Sequence, residues 1–350
     1  DEAAAGELVM PHVVPCGFLE GASPFSARNG RIASTLAEAK AAVDWYVQRG
    51  YPQLKIYNSF PRSILRETVA YAHRRGMRVS GHVPAFLRAQ DVIEMGFDEI
   101  QHINQLLLTF LVTPKTDTRT LERFYLPAEK LATFDFESKA ARSFLALLKR
   151  RGTVIDPTLA TFDFIKQRDG EVSEPYRSVV AHLPANVQRG FRSGGMKIPD
   201  DATATRYRAS FARMVEFVGL AYRAGIPVVA GTDAIAGFTL HSELELYVKA
   251  GLTPSQALQI ATRNGAKYTG TLFERGSIEA GKRADLVLID GDPTRDITEL
   301  RKVALVITQG KLLRPSDLYQ EMGIKPFVRD APELKARASS LTSLTAQRSR

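Results

Sequence analysis

Four residues in this chain have the types and spacing to hold a divalent metal at the mouth of a parallel sheet, and each closes or interrupts an apolar run. Lys55 follows Gln53-Leu54 and precedes Ile56-Tyr57. His82 ends Met77-Arg78-Val79-Ser80-Gly81, and His102 ends Phe97-Asp98-Glu99-Ile100-Gln101. Asp233 ends Ile226-Pro227-Val228-Val229-Ala230-Gly231-Thr232. A metal of the zinc type takes neutral imidazole nitrogen and carboxylate oxygen. His82 and His102 offer two nitrogens. Asp233 offers an oxygen that can also accept a proton from water. Taken singly these signals are weak: a strand-end histidine is more often a hydrogen-bonded core or surface residue, a lysine beside a tyrosine is ordinarily just a charge, and Gly-Thr-Asp is a common turn. Order, spacing and shared strand-end placement give them weight. Tyr57, two residues past Lys55, points to the same side of a strand and could donate to a substrate oxygen. His241 could orient the substrate or Asp233, or simply make a local hydrogen bond at a helix start. His12, His73 and His182 have no such context.

The elements that would position these residues alternate between short β-like runs and longer helical ones, the pattern of βα units around a parallel sheet. Strands are expected near Glu7–Val14 and at Leu54–Tyr57, Arg78–Val83, Glu99–Ile103, Thr153–Ile155 and Pro227–Ala230. Helices are expected at Leu36–Val47 (capped by Ser34 or Thr35), Ile64–His73, Ala89–Met95, Lys139–Arg150, Tyr207–Ala224, Leu240–Ala250 and Pro254–Asn264. The stretches 106–136 and 170–202 read as irregular or loop-rich. Lys55 and His82 are 27 residues apart and His82 and His102 are 20 apart, each one βα unit. The 131 residues from His102 to Asp233 leave room for a further unit and two insertions. In such a barrel the site sits at the C-terminal strand ends, so all four side chains would converge on one mouth. Beyond Gly276 the elements are short β runs, Ala284–Asp290 and Val303–Thr308. The expected partition is a barrel over 1–269, a small β domain over 270–320 and a tail over 321–350 that reads as disordered or loosely helical.

The chain has 350 residues, 44% of them hydrophobic, enough for a large core. Its net charge of +9 raises nucleic acid as a partner, but the basic residues are spread along helices without a dense block beside aromatic platforms, so none is expected. No membrane is expected either, because no apolar run is long enough to span one. The single cysteine, Cys16, allows no internal disulfide and reads as a small buried hydrophobe. The start at Asp1 leaves open a cytoplasmic protein and a periplasmic or secreted one after processing.

The region after Asp233 makes the pattern specific. Leu240-His241-Ser242-Glu243-Leu244, Ala250-Gly251-Leu252-Thr253-Pro254-Ser255-Gln256-Ala257-Leu258 and Ala261-Thr262-Arg263-Asn264-Gly265-Ala266 resemble the helices after the eighth strand of the amidohydrolase superfamily, nearest its imidazolonepropionase and Xaa-Pro or Xaa-Arg dipeptidase branch. Gly276–Val287 is similar to that family's return into a small β-sandwich, and Val306–Lys311 to its final strand. The resemblance runs from about Ile32 to Leu313. It implies an α/β fold, a (β/α)₈ TIM-type barrel with part of a β-sandwich. It further implies one or two divalent metals per chain, zinc first, with manganese, cobalt and nickel also compatible. Lys55 would be carboxylated on its amine and bridge the metals, His82 and His102 would hold the more exposed metal, and Asp233 would hold the buried one. The implied reaction is hydrolysis of a C–N bond in a small amide, cyclic amide or dipeptide. A metal-bound hydroxide would attack, with Asp233 as general base. A lactone's C–O bond would use the same metals.

The departure from the family pattern lies at the front. The family's first strand carries His-x-His, and no such pair occurs among the six histidines. The expectation is therefore a barrel incomplete at its N-terminus, completed by a second copy or a separate chain that supplies the missing strand. The rival is a catalytically silent fragment or subunit that acts through binding.

Overall fold

The computed structural model describes residues 10–235 and 237–328. Its strands are β1 (Cys16–Glu20), β2 (Arg31–Ile32), β3 (Gln53–Ile56), β4 (Arg78–Gly81), β5 (Glu99–Gln101), β6 (Val154–Asp156), β7 (Leu286–Ile289), β8 (Val303–Thr308) and β9 (Lys311–Leu313). β2, β1, β3 and β4 lie parallel in that order, with Phe18 opposite Lys55 and Lys55 opposite Ser80. β5 and β6 form a second parallel pair. The Asp98 amide donates to Val79 O at 2.9 Å, tying β5 to β4, and a single bridge from Ile155 to Val228 extends the row past β6. This is the α/β arrangement of parallel strands that the sequence predicts.

The two faces of these strands differ sharply. Leu19, Leu54, Ile56, Val79, Ile100 and Ile155 are fully buried against the helices. The alternate positions are Glu20, Lys55, Ser80, Glu99 and Asp156, so the period-2 pattern separates an apolar outer layer from a polar interior. The helices begin where the caps say they should. Thr35 and Glu38 form a reciprocal capping box ahead of Leu36–Val47, and Thr253 with Gln256 does the same ahead of Pro254–Gln259.

Several elements depart from expectation. Of the strand expected near Glu7–Val14, residues 7–9 lie outside the described residues and 10–14 have no regular structure; the strand is Cys16–Glu20. Its pairing is fixed by tertiary packing, including the Tyr46 hydroxyl donating to Phe18 O at 2.8 Å, and buried Glu20 hides its apolar alternation. Pro227–Ala230 contributes only the bridge at Val228. The stretch 106–136 contains a helix, Glu122–Lys130. The long helix starts at Asp201 rather than Tyr207, because Asp200 caps it by accepting from the Thr203 amide at 2.7 Å.

From β7 onward the order becomes antiparallel, β7-β8-β9. Val287, Leu288 and Leu312 on this sheet are exposed. Arg301 fastens the sheet's flank to the Thr239–Lys249 helix through Glu245 and Ser242, both at 2.8 Å. Residues 321–328, placed in the expected tail, pack back instead. Ile324 is buried with Val179, Leu183 and Phe238, and Phe327 stacks on the His182 ring at 4.0 Å. The rest of the expected tail, 329–350, lies outside the described residues.

One backbone position links this frame to the interior. Gly81, immediately before His82, has φ of 128°, and a Cβ there would come within 2.2 Å of Ile56 O. Gly81→Ala combines a strained backbone with a clash against a strand carbonyl, each costing about 1–3 kcal/mol. A drop of at least ~2 kcal/mol in unfolding free energy is expected by urea titration. A stability equal to wild type would show that β4 can shift freely at this point.

Candidate functional site

The polar interior ends in a constellation at the C-terminal ends of β3 to β6. Lys55, Tyr57, His82, His102 and Asp233 are brought together there. The Lys55 ammonium lies 5.7 Å from the Tyr57 ring centroid. Tyr57 packs on His82 with ring centroids 4.0 Å apart, and His82 meets His102 edge-on at 4.6 Å. Asp233 Oδ2 stands 3.8 Å from His102 Nε2, too far for a direct hydrogen bond.

The two imidazoles are built alike. His82 Nδ1 is 2.8 Å from Asn58 Oδ1, an acceptor only, so Nδ1 carries the proton and Nε2 keeps its lone pair. His102 Nδ1 is 2.8 Å from the Thr158 hydroxyl. Both Nε2 atoms are buried and have no hydrogen-bond partner. Burial, foremost, pushes both histidines toward the neutral form, assisted by the cations of Lys55 and Arg123. His82 is lowered well below its usual value, with His102 adding to the effect, and His102 is lowered to about 3. Neutral imidazoles fixed through Nδ1 with free Nε2 atoms are the ligand form for a divalent metal. The donor set therefore fits a metal at the paired Nε2 atoms. Among the described residues no group of three or more His, Cys, Asp or Glu side chains is placed to hold one, so the two nitrogens need a further ligand of another kind or from elsewhere.

Backbone strain gathers at the same place. His102 (φ 72°), Thr158 (φ 48°) and Asp233 (φ 48°) all adopt left-handed conformations that cost a non-glycine residue about 1–3 kcal/mol each. The surrounding structure holds them there. Glu243 accepts from the Ala160 amide at 2.7 Å, fixing the turn that carries Thr158. Tyr247, one helical turn on, donates to Val229 O at 2.9 Å, fixing the segment that leads to Asp233. Burial raises the Glu243 carboxyl to about 7, against the pull of the Ala160 and Leu159 amides. Asp156 Oδ1 is buried and unpaired. A Cβ on Gly231 would come within 2.1 Å of that oxygen, so only glycine leaves room for it. Burial, then the charges of Glu99 and Glu243, drive the Asp156 carboxyl well up.

Among the described residues no hydrogen bond or ring contact joins His241 to this group. It sits in the first turn of the Thr239–Lys249 helix, where burial and the Arg301 cation push it down to about 4, and it makes no hydrogen bond to Asp233. The residues missed in the sequence are Asn58, Thr158, Glu243 and Arg123. Asn58 lies just past β3 and Glu243 within a quoted family segment, so both had some signal; Thr158, in a turn, and Arg123, in a helix inside the stretch expected to be irregular, had none.

Asn58→Ala is expected to weaken zinc binding about 10–100-fold, the usual cost of losing the partner that orients a ligating histidine. Asn58→Asp, which keeps an acceptor at the same atom, should retain affinity. Competition against a fluorescent chelator measures both. Zinc bound by Asn58→Ala as tightly as by wild type would separate His82 from metal binding.

The amidohydrolase family model matches residues 53–313, three quarters of the chain. An imidazolonepropionase of Syntrophobacter fumaroxidans is 38% identical over 104 residues, 28% of this chain and 23% of that protein, so the match spans only about a quarter of the relative. Among solved structures, bottromycin amidohydrolase superposes with a TM-score of 0.69 at 22% identity, covering 93% of this chain and 71% of that one. A Xaa-Pro dipeptidase with bound methionine superposes with a TM-score of 0.58 at 20% identity, covering 89% and 70%.

Proposed function

The chain belongs to the amidohydrolase family, and from that premise we propose that it serves a metal-dependent hydrolysis of a C–N bond in a small amide, cyclic amide or dipeptide. The observation that carries this reading is the pair of buried, unpartnered Nε2 atoms on His82 and His102, each locked through Nδ1. These two histidines would hold the metal. Lys55, half-buried, would supply the further ligand if its amine were carboxylated by CO₂, because an ammonium repels a cation and a carbamate oxygen does not. When bound, a zinc-type metal supplies Lewis acidity toward a substrate carbonyl and toward a water.

The chain's own groups complete the chemistry. Asp233, its side chain 60% exposed at the mouth, takes a proton from the attacking water and returns it to the leaving nitrogen. The Tyr57 phenol, its pKa raised mainly by burial, stays protonated near neutrality and donates to the carbonyl oxygen. The fold as a TIM-type barrel, entered at its third strand by β1, and the completion of its open side by another segment or chain, belong to the same proposal. The absence of a three-residue His/Cys/Asp/Glu group among the described residues favours one second reading, a subunit that binds metal and hydrolyses only once completed.

Metal content of the purified chain after zinc loading and dialysis tests the proposal. One or two zinc ions per chain, lost in His82→Ala, are expected. No retained zinc would overturn it. Turnover of an amide, dipeptide and lactone panel by the loaded protein separates an active hydrolase from the silent subunit, and C–N from C–O chemistry.

A further inference from the structure

We infer that Arg123 is an anion-binding residue of this mouth and that the molecule bound there carries a carboxylate. The inference rests on the reading of the mouth as a substrate site. Arg123 lies in the first turn of the Glu122–Lys130 helix and is half-buried. Its neighbouring arginines have acidic partners: Arg119 grips Asp117 at 2.7 Å and Arg206 grips Glu129 at 2.7 Å. Arg123 has no carboxylate within ion-pair distance among the described residues. Among the described residues its side chain makes one hydrogen bond, from Nη1 to Arg119 O at 3.1 Å, and its guanidinium lies 4.6 Å from the Phe124 ring centroid. A guanidinium has five donors, so most of the fork is left for something else.

The backbone of Arg123 is tied to the segment just past β5 that carries His102. Asn104, two residues on, donates from Nδ2 to Arg123 O at 3.2 Å. Phe124 packs on Phe162 with centroids 6.1 Å apart, and Phe162 on His102 at 6.0 Å. The guanidinium's field reaches His82, His102 and the Tyr57 hydroxyl. Burial opposes its charge and no acidic neighbour offsets that. A partly buried cation without an anion is costly until a ligand supplies one. The planar fork fits a carboxylate with two parallel N–H···O bonds, which a neutral amide cannot reproduce. The substrate class narrows accordingly to amides with a free carboxylate near the scissile bond, N-acyl amino acids and dipeptides among them.

N-acetylglycine and N-acetylglycinamide differ only at that group. Ligand-observed NMR titration of the full chain, zinc-loaded and metal-free, should show the acid bound at least tenfold more tightly than the amide, a difference of ~1.4 kcal/mol. Arg123→Gln should bring the two together by weakening the acid alone. Arg123→Lys, which keeps the charge and loses the fork, should retain part of the preference, and thermal unfolding checks that both variants remain folded. Equal binding of the two probes by wild type would overturn the inference. So would an equal loss of both in Arg123→Gln, the pattern of a residue acting on the carbonyl oxygen or on the fold. Absence of turnover on any amide, with the carboxylate preference intact, would count against the hydrolase reading and leave Arg123 as assigned.

Discussion

His102→Ala will abolish the stabilisation that zinc gives this protein, an effect separable from its cost to the metal-free protein. The two effects separate because of how His102 is held. In the metal-free state its Nε2 is a buried polar atom without a hydrogen-bond partner, a cost to the fold, and its Nδ1 bond to Thr158 is a modest gain. Removing the ring relieves the first and leaves the Thr158 hydroxyl unpaired, which costs about 1–3 kcal/mol. In the loaded state the same removal would take away one of the two proposed nitrogen ligands. Affinity should fall by more than the ~10–100-fold that an outer partner is worth. With zinc at a hundredfold excess over its dissociation constant, wild type gains about 2.7 kcal/mol, a rise in Tm of roughly 4 °C for a chain of this size. His102→Ala should show no such rise. Calorimetric scans with and without zinc decide the matter, and an unchanged zinc shift in the variant would place the metal elsewhere.

Glu243→Gln is expected to gain stability relative to wild type as the pH rises. The folded carboxyl, at about 7, titrates above its ordinary 4.5 because it is buried. Between those values the folded protein holds a proton that the unfolded chain has released, so stability falls as pH rises through the window. Above pH 7 the loss is complete and reaches ~3 kcal/mol. Glutamine does not titrate and mimics the protonated form. The two lowered histidines have the opposite sign. They cost the fold stability as pH falls below about 6.5, where the unfolded chain binds protons that the buried rings refuse. That loss is common to both proteins and cancels in the difference. Urea unfolding at pH 5 and pH 8 should therefore show the variant's deficit shrinking, or turning into an advantage, by up to ~3 kcal/mol. Parallel behaviour of the two proteins would mean that Glu243 is ionised in the fold throughout.

The strands bearing the histidines were legible because a run such as Met77–Gly81 is apolar on one face and ends in a polar residue, and the expected Leu54–Tyr57, Arg78–Val83 and Glu99–Ile103 each overlap an observed strand. β1 was not, since Glu20 occupies an interior position that breaks the apolar count. Pro227–Ala230 was read as a strand from its β-branched residues, yet it pairs only at Val228. At the site, Lys55, His82, His102 and Asp233 could be picked out by order and spacing. Thr158 and Arg123 could not, because each reaches the mouth on a segment whose path is set by distant contacts: Thr158 by Glu243, 85 residues away, and Arg123 by Asn104. Local pattern carries no trace of such ties.

Through Glu243 and Tyr247, a single helix, Thr239–Lys249, grips both the turn behind His102 and the segment before Asp233. The two halves of the mouth consequently share one latch. Loosening that helix by a turn frees the Ala160 amide and the Val229 carbonyl together, so the backbone around His102 and Asp233 should exchange its hydrogens as one cooperative unit, with a single opening free energy, rather than fray loop by loop.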